Sequence, residues 1–162
     1  MNKIVEKEYF SEKVVKIVVE APEIAKSRKA GNFVILRVGE KGERFPLTIA
    51  GADPEKGTIT LVVQTVGVSS SKLAALHPGD FITDLVGPLG QATHVEKKGT
   101  ILAAGGGVGI APMLPIVEAF KKAGNRVISV IAARSRDLII LEEQIREWSD
   151  EVVVMTDDGS YG

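Results

Sequence analysis

The stretch Ile101-Leu102-Ala103-Ala104-Gly105-Gly106-Gly107-Val108-Gly109-Ile110-Ala111-Pro112 decides how this chain is read. An apolar strand pattern stops in a glycine cluster and reopens as a helix, because Met113 to Lys122 carry apolar residues at helical spacing. Glycine has no Cβ, so its backbone takes positive φ and lets a bound group come close, while the first amides of the new helix form an anion site. A dinucleotide pyrophosphate suits such a turn. The pattern departs from the simple G-x-G-x-x-G fingerprint: Gly105, Gly107 and Gly109 alternate, and the third glycine falls one residue early. The alternative reading is that these glycines only let the helix pack tightly on the sheet.

Working outward, strand 100 to 105, helix 112 to 123, strand 126 to 133, helix 138 to 148 and strand 151 to 156 alternate as β-α-β-α-β. Asp137 is placed to cap the second helix. This order predicts a parallel sheet with right-handed crossovers. Upstream the character differs. Lys3 to Tyr9, Val14 to Glu20, Phe33 to Val38, Phe45 to Ala50, Thr58 to Gln64 and Phe81 to Val86 are short β-like runs, separated by turns such as Ala21-Pro22-Glu23 and Asp53-Pro54-Glu55-Lys56-Gly57. Their spacing predicts a small six-stranded antiparallel barrel, with one helix over Ser69 to Leu76. The polar connector Gly90 to Gly99 divides a barrel domain, 1–95, from an α/β domain, 96–162.

The chain stops at Asp157-Asp158-Gly159-Ser160-Tyr161-Gly162, directly after the third strand of the second domain. A parallel edge strand left there exposes unpaired N–H and C=O groups, which is expected of a truncated polypeptide or gene fragment; dimerisation through that edge is the competing explanation.

Composition narrows the chemistry. The 162 residues are 44% hydrophobic with a net charge of −1, enough for one good core or two small ones and without a basic field for nucleic acid or anionic membrane. No apolar segment approaches the ~20 residues of a membrane span, and no signal-peptide core follows Met1, so a cytoplasmic protein is expected. Cysteine is absent, which removes disulfides, thiolate catalysis and cysteine-ligated clusters from this stretch of chain. His77 and His94 stand too far apart, in loop contexts, to predict a metal site.

Five segments in order, Gly31-Asn32-Phe33-Val34, Arg44-Phe45-Pro46-Leu47-Thr48-Ile49-Ala50, Gly67-Val68-Ser69-Ser70, Gly87-Pro88-Leu89-Gly90 and Gly105 to Pro112, resemble the ferredoxin–NADP reductase superfamily across essentially the whole chain. The resemblance implies a six-stranded antiparallel Greek-key barrel that holds a flavin, FAD, followed by a parallel α/β nucleotide-binding domain that presents NAD(P)H. Within the superfamily the segments are similar to the small flavoprotein subunit of NADH-dependent ferredoxin–NADP oxidoreductases, also called sulfide dehydrogenase. A sister group, the electron-transfer subunit of dihydroorotate dehydrogenase, usually has its arginine directly before the proline, where this chain has Phe45.

The family's R-x-Y-S-like strand falls on Pro46-Leu47-Thr48, which implies Leu47 against the flavin ring and the Thr48 hydroxyl near flavin N5, as the catalytic side chain. Arg44 is implied as a phosphate ligand, but it lies four residues before Thr48 instead of three, so a bulge near Pro46 is expected if it is to reach. Gln64-Thr65-Val66 would lie along the flavin, and Gly67, Ser69 and Ser70 would wrap its pyrophosphate. A plain helix cap by Ser69 or Ser70 is the bland counterpart.

In the second domain the resemblance places the nicotinamide nucleotide over Gly106, Val108, Gly109, Ile110 and Pro112. Arg134 would meet a ribose or phosphate, and Asp157, Asp158 and Gly159 the ribose hydroxyls. Arg134 and Arg136 suit the 2′-phosphate of NADP, whereas Asp137 beside them opposes it and favours NAD. The implied reaction is hydride transfer from NAD(P)H to FAD. In full-length relatives a [2Fe–2S] segment, absent here, passes electrons to a larger iron–sulfur or flavoprotein subunit, with ferredoxin a further partner. Against this stand a non-catalytic nucleotide-binding module and an unrelated Rossmann-type enzyme whose barrel only binds a partner.

Overall fold

A computed structural model describes all 162 residues, which form two compact units, Met1–Ala92 and Thr93–Gly162. Unit 1 contains β1 (Asn2–Tyr9), β2 (Val14–Glu20), α1 (Pro22–Ser27), β3 (Phe33–Arg37), β4 (Phe45–Asp53), β5 (Thr58–Gln64), α2 (Val68–Ala74), β6 (Phe81–Ile82) and β7 (Asp84–Leu89). Its strands form one antiparallel sheet in the order β6-β1-β2-β5-β4-β3-β7. The excursion of β3 and β4 between the adjacent β2 and β5 is the Greek-key crossing.

Where one strand is expected over Phe81 to Val86, two are found. Phe81–Ile82 pairs with β1 at one edge of the sheet, and Asp84–Leu89 pairs with β3 at the other. Only Thr83 separates them, so the chain itself carries one edge round to the opposite edge and curls the sheet into a barrel. Thr83 secures the crossing, its N–H donating to the Arg37 carbonyl at 3.0 Å and its hydroxyl accepting from the Gly39 N–H at 2.7 Å. Alternation then supplies the core: Val15, Ile17 and Val19 of β2, Val34 and Leu36 of β3, and Ile59, Leu61 and Val63 of β5 all point inward. α1 corrects the turn expected at Ala21-Pro22-Glu23. Proline at the first helical position costs no hydrogen bond, and Ile24 and Ala25 are buried on the core, although six residues are too few to show a period.

Unit 2 contains β8 (Thr100–Gly106), a 3-10 turn over Gly107–Gly109, α3 (Ile110–Lys122), β9 (Arg126–Ala133), a second 3-10 turn over Arg136–Leu138, α4 (Glu142–Glu147) and β10 (Glu151–Thr156). The three strands are parallel in the order β10-β9-β8. Each strand steps the same way, so two right-handed crossovers put both helices on one face. Val127, Ser129, Ile131 and Val154 are buried on that side, while Leu102, Val153 and Met155 of the alternate set stand exposed on the other. None of the helices is long and apolar enough to cross a membrane.

The helix expected over 138 to 148 is shorter. Leu138 to Leu141 is an apolar run without helical period, Ile140 is buried, and Leu141 takes φ +58° directly before α4. Asp137 therefore caps no helix, and its carboxylate accepts the Ser135 hydroxyl at 2.6 Å instead. α3 begins at Ile110 rather than residue 112, which places Pro112 in the first turn, where no intrahelical amide bond is lost. Asn125, 2% exposed, anchors the connector: its side-chain oxygen accepts the N–H groups of Lys98 (2.6 Å) and Gly99 (3.0 Å), and its amide donates to the carbonyls of Glu96 (3.0 Å) and Phe120 (2.9 Å).

Candidate functional site

In unit 1 the site grows from a change of partner along β4. Phe45, Pro46, Leu47 and Thr48 pair with Leu36, Ile35, Val34 and Phe33 of β3; from Ile49 onward the strand pairs with β5, with a register shift between Ile49 and Gly51. The last residues of β5, Val62 to Gln64, pair only with β2. The β4–β5 ladder is therefore interrupted between Phe45–Thr48 and Val62–Gln64, and each segment carries a ladder on one side only. Pro46, which lacks an amide donor, is tolerated beside such an interruption.

Strand period separates the side chains. Phe45 and Leu47 pack against the core, so Pro46 and Thr48 lie on the opposite face, Pro46 exposed and Thr48 half-buried. Leu47, expected against the flavin ring, packs its side chain on the core here, on the face of β4 opposite Thr48. Arg44 is corrected in part as well. No bulge occurs at Pro46, since the shift lies beyond Thr48. Arg44 instead bonds Asp84 of β7 at 3.2 Å, and Asp84 is also held by Arg37 at 2.6 Å. The carboxylate draws Arg44 across β3 toward β7, to the side of β4 away from β5.

The segment after β5 is built from beneath. Ser70 is buried; its hydroxyl accepts the N–H groups of Val66 (3.0 Å) and Gly67 (3.1 Å) and donates to the Gly67 carbonyl (3.2 Å). Its hydroxyl is thus spent on shaping the loop, and the expectation that it contacts a phosphate gives way to a positioning role. The result is an outward-facing edge: Val66 is 79% exposed, Gln64 and Gly67 are exposed, and Ser69 is half-buried. Gly67 caps α2 in extended conformation, and a Cβ there would meet nothing within 4 Å.

In unit 2 the glycines at the carboxyl end of β8 have different reasons to be glycine. A Cβ on Gly105 would lie 3.0 Å from Met113 Sδ and 3.3 Å from the Gly109 carbonyl, so close packing explains that residue. Gly107 has φ +55°, so conformation explains it. Neither reason applies to Gly109, which is helical in φ and has nothing within 4 Å of a Cβ, nor to Gly106, whose nearest neighbour would be 3.8 Å away. Both leave surface open beside the first turn of α3. Val108 and Pro112 are half-buried there, whereas Ile110 is fully buried and can offer only its backbone to a ligand.

The same rim carries the ends of β9 and β10. The N–H groups of Asp157 and Asp158 donate to the carbonyls of Ala133 and Arg134, both at 3.1 Å, which ties these candidates together. Asp158 is largely consumed by its own turn, accepting the Ser160 hydroxyl (2.6 Å) and N–H (2.9 Å); the hydroxyl bond first, then the amide, holds its carboxyl below the usual range. Asp157, Gly159 and Arg134 are exposed. Sequence reasoning passed over Tyr161. Its hydroxyl donates to Glu142 at 2.6 Å, its backbone exchanges hydrogen bonds with the Thr156 hydroxyl, and the Arg136 guanidinium lies 4.8 Å over its ring. The only sequence signal was the spacing of Thr156 and Tyr161 around a glycine turn.

No family model matches the chain. Over all 162 residues it is 43% identical to the dihydroorotate dehydrogenase B (NAD(+)) electron transfer subunit homolog of Thermotoga maritima, covering 57% of that protein. Among solved structures, that of an NADH-dependent reduced ferredoxin–NADP oxidoreductase, described for flavin-based electron bifurcation, matches 100% of this chain and 58% of its own with TM-score 0.95 and 41% identity. Phthalate dioxygenase reductase matches 98% of this chain and 52% of its own, with TM-score 0.82 at 18% identity, a likeness of fold alone. The chain spans a little over half the length of the relatives it matches. Homology along the whole of this chain and a shared architecture give it a ferredoxin reductase-like fold, with an electron transfer subunit homolog of the dihydroorotate dehydrogenase B type among its homologues.

Proposed function

We propose that this chain is the flavin-reducing part of an NAD(P)H-dependent electron-transfer subunit, with FAD bound by a barrel domain, 1–95, and NAD(P)H by an α/β domain, 96–162. The observation that carries the reading is the interrupted β4–β5 ladder beside Thr48. Backbone donors and acceptors that make no ladder there, bordered by a half-buried hydroxyl and an exposed loop, fit the polar edge and flat body of an isoalloxazine ring. Bound flavin would supply a hydride acceptor at N5. Thr48 is the catalytic side chain of this reading, its hydroxyl donating toward that atom, with Pro46 and the Leu47 backbone beside the ring. Gln64, Val66, Gly67 and Ser69 border the tail, while Ser70 keeps the loop in shape from below. Arg44 reaches a phosphate only by leaving Asp84, a small cost because the pair is exposed and Arg37 still satisfies the carboxylate.

In unit 2, Gly106, Val108, Gly109, the Ile110 amide and Pro112 accommodate the nicotinamide end, and Arg134, Asp157, Asp158 and Gly159 the ribose and phosphates. NADH is favoured over NADPH: Asp137 follows Arg136 at the rim, where a second negative charge opposes a 2′-phosphate, and the Thermotoga homologue is named for NAD(+). Hydride transfer needs no proton from a side chain, so the residues act by orienting and by keeping approach open. In the full-length protein the electrons would pass through a [2Fe–2S] centre to a larger iron–sulfur or flavoprotein subunit and on to ferredoxin. A dihydroorotate dehydrogenase partner is the second reading, favoured by the description of the Thermotoga homologue.

The test is reconstitution with FAD followed by anaerobic NADH titration. Flavin absorbance retained on the protein and bleached by NADH is expected. A chain that retains no flavin overturns the reading, and one that retains flavin unbleached by either nicotinamide nucleotide removes the role assigned to unit 2.

A further inference from the structure

Unit 1 buries two polar side chains, Ser70 beneath the loop after β5 and Asn32 at the start of β3. Asn32 is 6% exposed and bonded through its side-chain oxygen, its side-chain amide and its backbone carbonyl. Its side-chain oxygen accepts the Lys29 N–H at 2.8 Å, its side-chain amide donates to the Gly90 carbonyl at 3.2 Å, and its own carbonyl accepts the Ile49 N–H at 3.1 Å. Three strands of the Thr48 face are thereby tied to one residue: β3 where it begins, β4 where it changes partner, and β7 where it ends. Next door, Phe33 pairs with Thr48, and its ring rests so close to Gly90 that a Cβ there would lie 2.7 Å from it.

From this geometry we infer that Asn32 is the positioning residue for Thr48, an inference that rests on the flavin reading above. Thr48 occupies the last rung of the β3–β4 ladder, and the next backbone bond of β4 is the one to Asn32. Where that rung sits depends on the Asn32 backbone, and the two side-chain bonds to Lys29 and Gly90 fix that backbone. A buried amide satisfied on both its donor and acceptor sides admits one orientation, so it holds the hydroxyl-bearing rung where a hydrophobic residue would leave it free to shift. A shift of about 1 Å at a reacting centre costs up to about 100-fold in rate.

Asn32→Asp keeps the shape and the acceptor for Lys29 but sets a carboxylate oxygen against the Gly90 carbonyl. Asn32→Ser keeps a short acceptor and cannot span to Gly90. For each, the visible spectrum of bound FAD, FAD affinity by fluorescence quenching, and the rate of flavin reduction per bound flavin at saturating NADH are compared with the parent chain. The expected result is a spectrum moved toward free flavin and reduction slowed about 10- to 100-fold per bound flavin, with the KM for NADH unchanged. A merely structural role would lower the melting temperature and flavin content but leave the rate per bound flavin intact, and that result overturns the inference. Should neither variant fold, amide exchange in the parent chain decides: FAD binding is expected to slow exchange at Ile49 and Lys29, and unchanged rates there overturn it. Failure of the parent chain to bind FAD would instead strike the flavin reading itself.

Discussion

The two sheets of this protein solve the problem of exposed edges and faces in opposite ways. In unit 1 the chain closes its own sheet through Thr83, so the inward residues of β2, β3 and β5 form one core without outside help. In unit 2 three parallel strands keep both helices on one face, and Leu102, Val153 and Met155 stay exposed on the other. The candidate sites follow from this difference. Within the curled sheet the central ladder is broken at β4, whereas an open parallel sheet offers the carboxyl ends of its strands, where β8, β9 and β10 all bring candidate residues.

Leucine truncation should break the symmetry of the comparison most strongly. Leu61→Ala, at a fully buried site in unit 1, is expected to cost about 2–5 kcal/mol, whereas Leu102→Ala, 70% exposed on the bare face of unit 2, should cost under about 0.5 kcal/mol. Chemical denaturation of both variants checks this; equal losses would show that the bare face of unit 2 is covered in solution.

The glycine turn sharpens the same contrast within unit 2. Gly105→Ala forces a Cβ against Met113 and the Gly109 carbonyl and should cost about 1–3 kcal/mol. Gly109→Ala enters helical backbone with open space around it, so stability should hold or rise by up to about 1 kcal/mol while NADH affinity falls. Melting curves beside an NADH titration separate the two. Unimpaired NADH binding by Gly109→Ala would remove that glycine from the proposed site.

At the broken ladder, Thr48→Ala should slow flavin reduction about tenfold per bound flavin, the equivalent of one hydrogen bond, and weaken FAD retention less. Equal losses in both would take Thr48 out of the N5 role.

The smallest effect concerns the rim of unit 2. The Tyr161 hydroxyl, and after it Arg146, holds the Glu142 carboxyl below its ordinary value of 4.5 against the opposing effect of burial. A lowered folded value contributes stability that is present above 4.5 and lost as pH falls through the folded value. Tyr161→Phe should therefore lower stability by under about 1 kcal/mol at neutral pH, and the gap should close in acid. A gap that widens with acid would contradict the assignment.

Much of the architecture is legible in the sequence because it is local. Alternation in Val14 to Glu20 and Thr58 to Gln64 gives strands, and Ile101 to Pro112 gives a strand, a turn and a helix. What escapes depends on partners far away in the chain. Leu138 to Leu141 looks helical by composition, yet burial of Ile140 and the left-handed Leu141 hold it outside α4. Arg44 reads as a phosphate ligand, and nothing in its local sequence shows that Asp84, forty residues on, holds it in this structure. Ser70 reads as a ligand or a cap; its bond to the Gly67 N–H caps α2, and only the further bond to Val66 shows that it also shapes the loop from below. Asn32 and Asn125 each follow a glycine, yet both are buried clamps whose partners no spacing reveals.

The claim that the broken β4–β5 ladder is the flavin seat is tested most directly by amide exchange with and without FAD. The account predicts slowed exchange over Phe45–Ile49 and Gln64–Ser70, with the bare face of unit 2 unaffected. FAD that binds the chain yet leaves both segments exchanging at their original rates would contradict it.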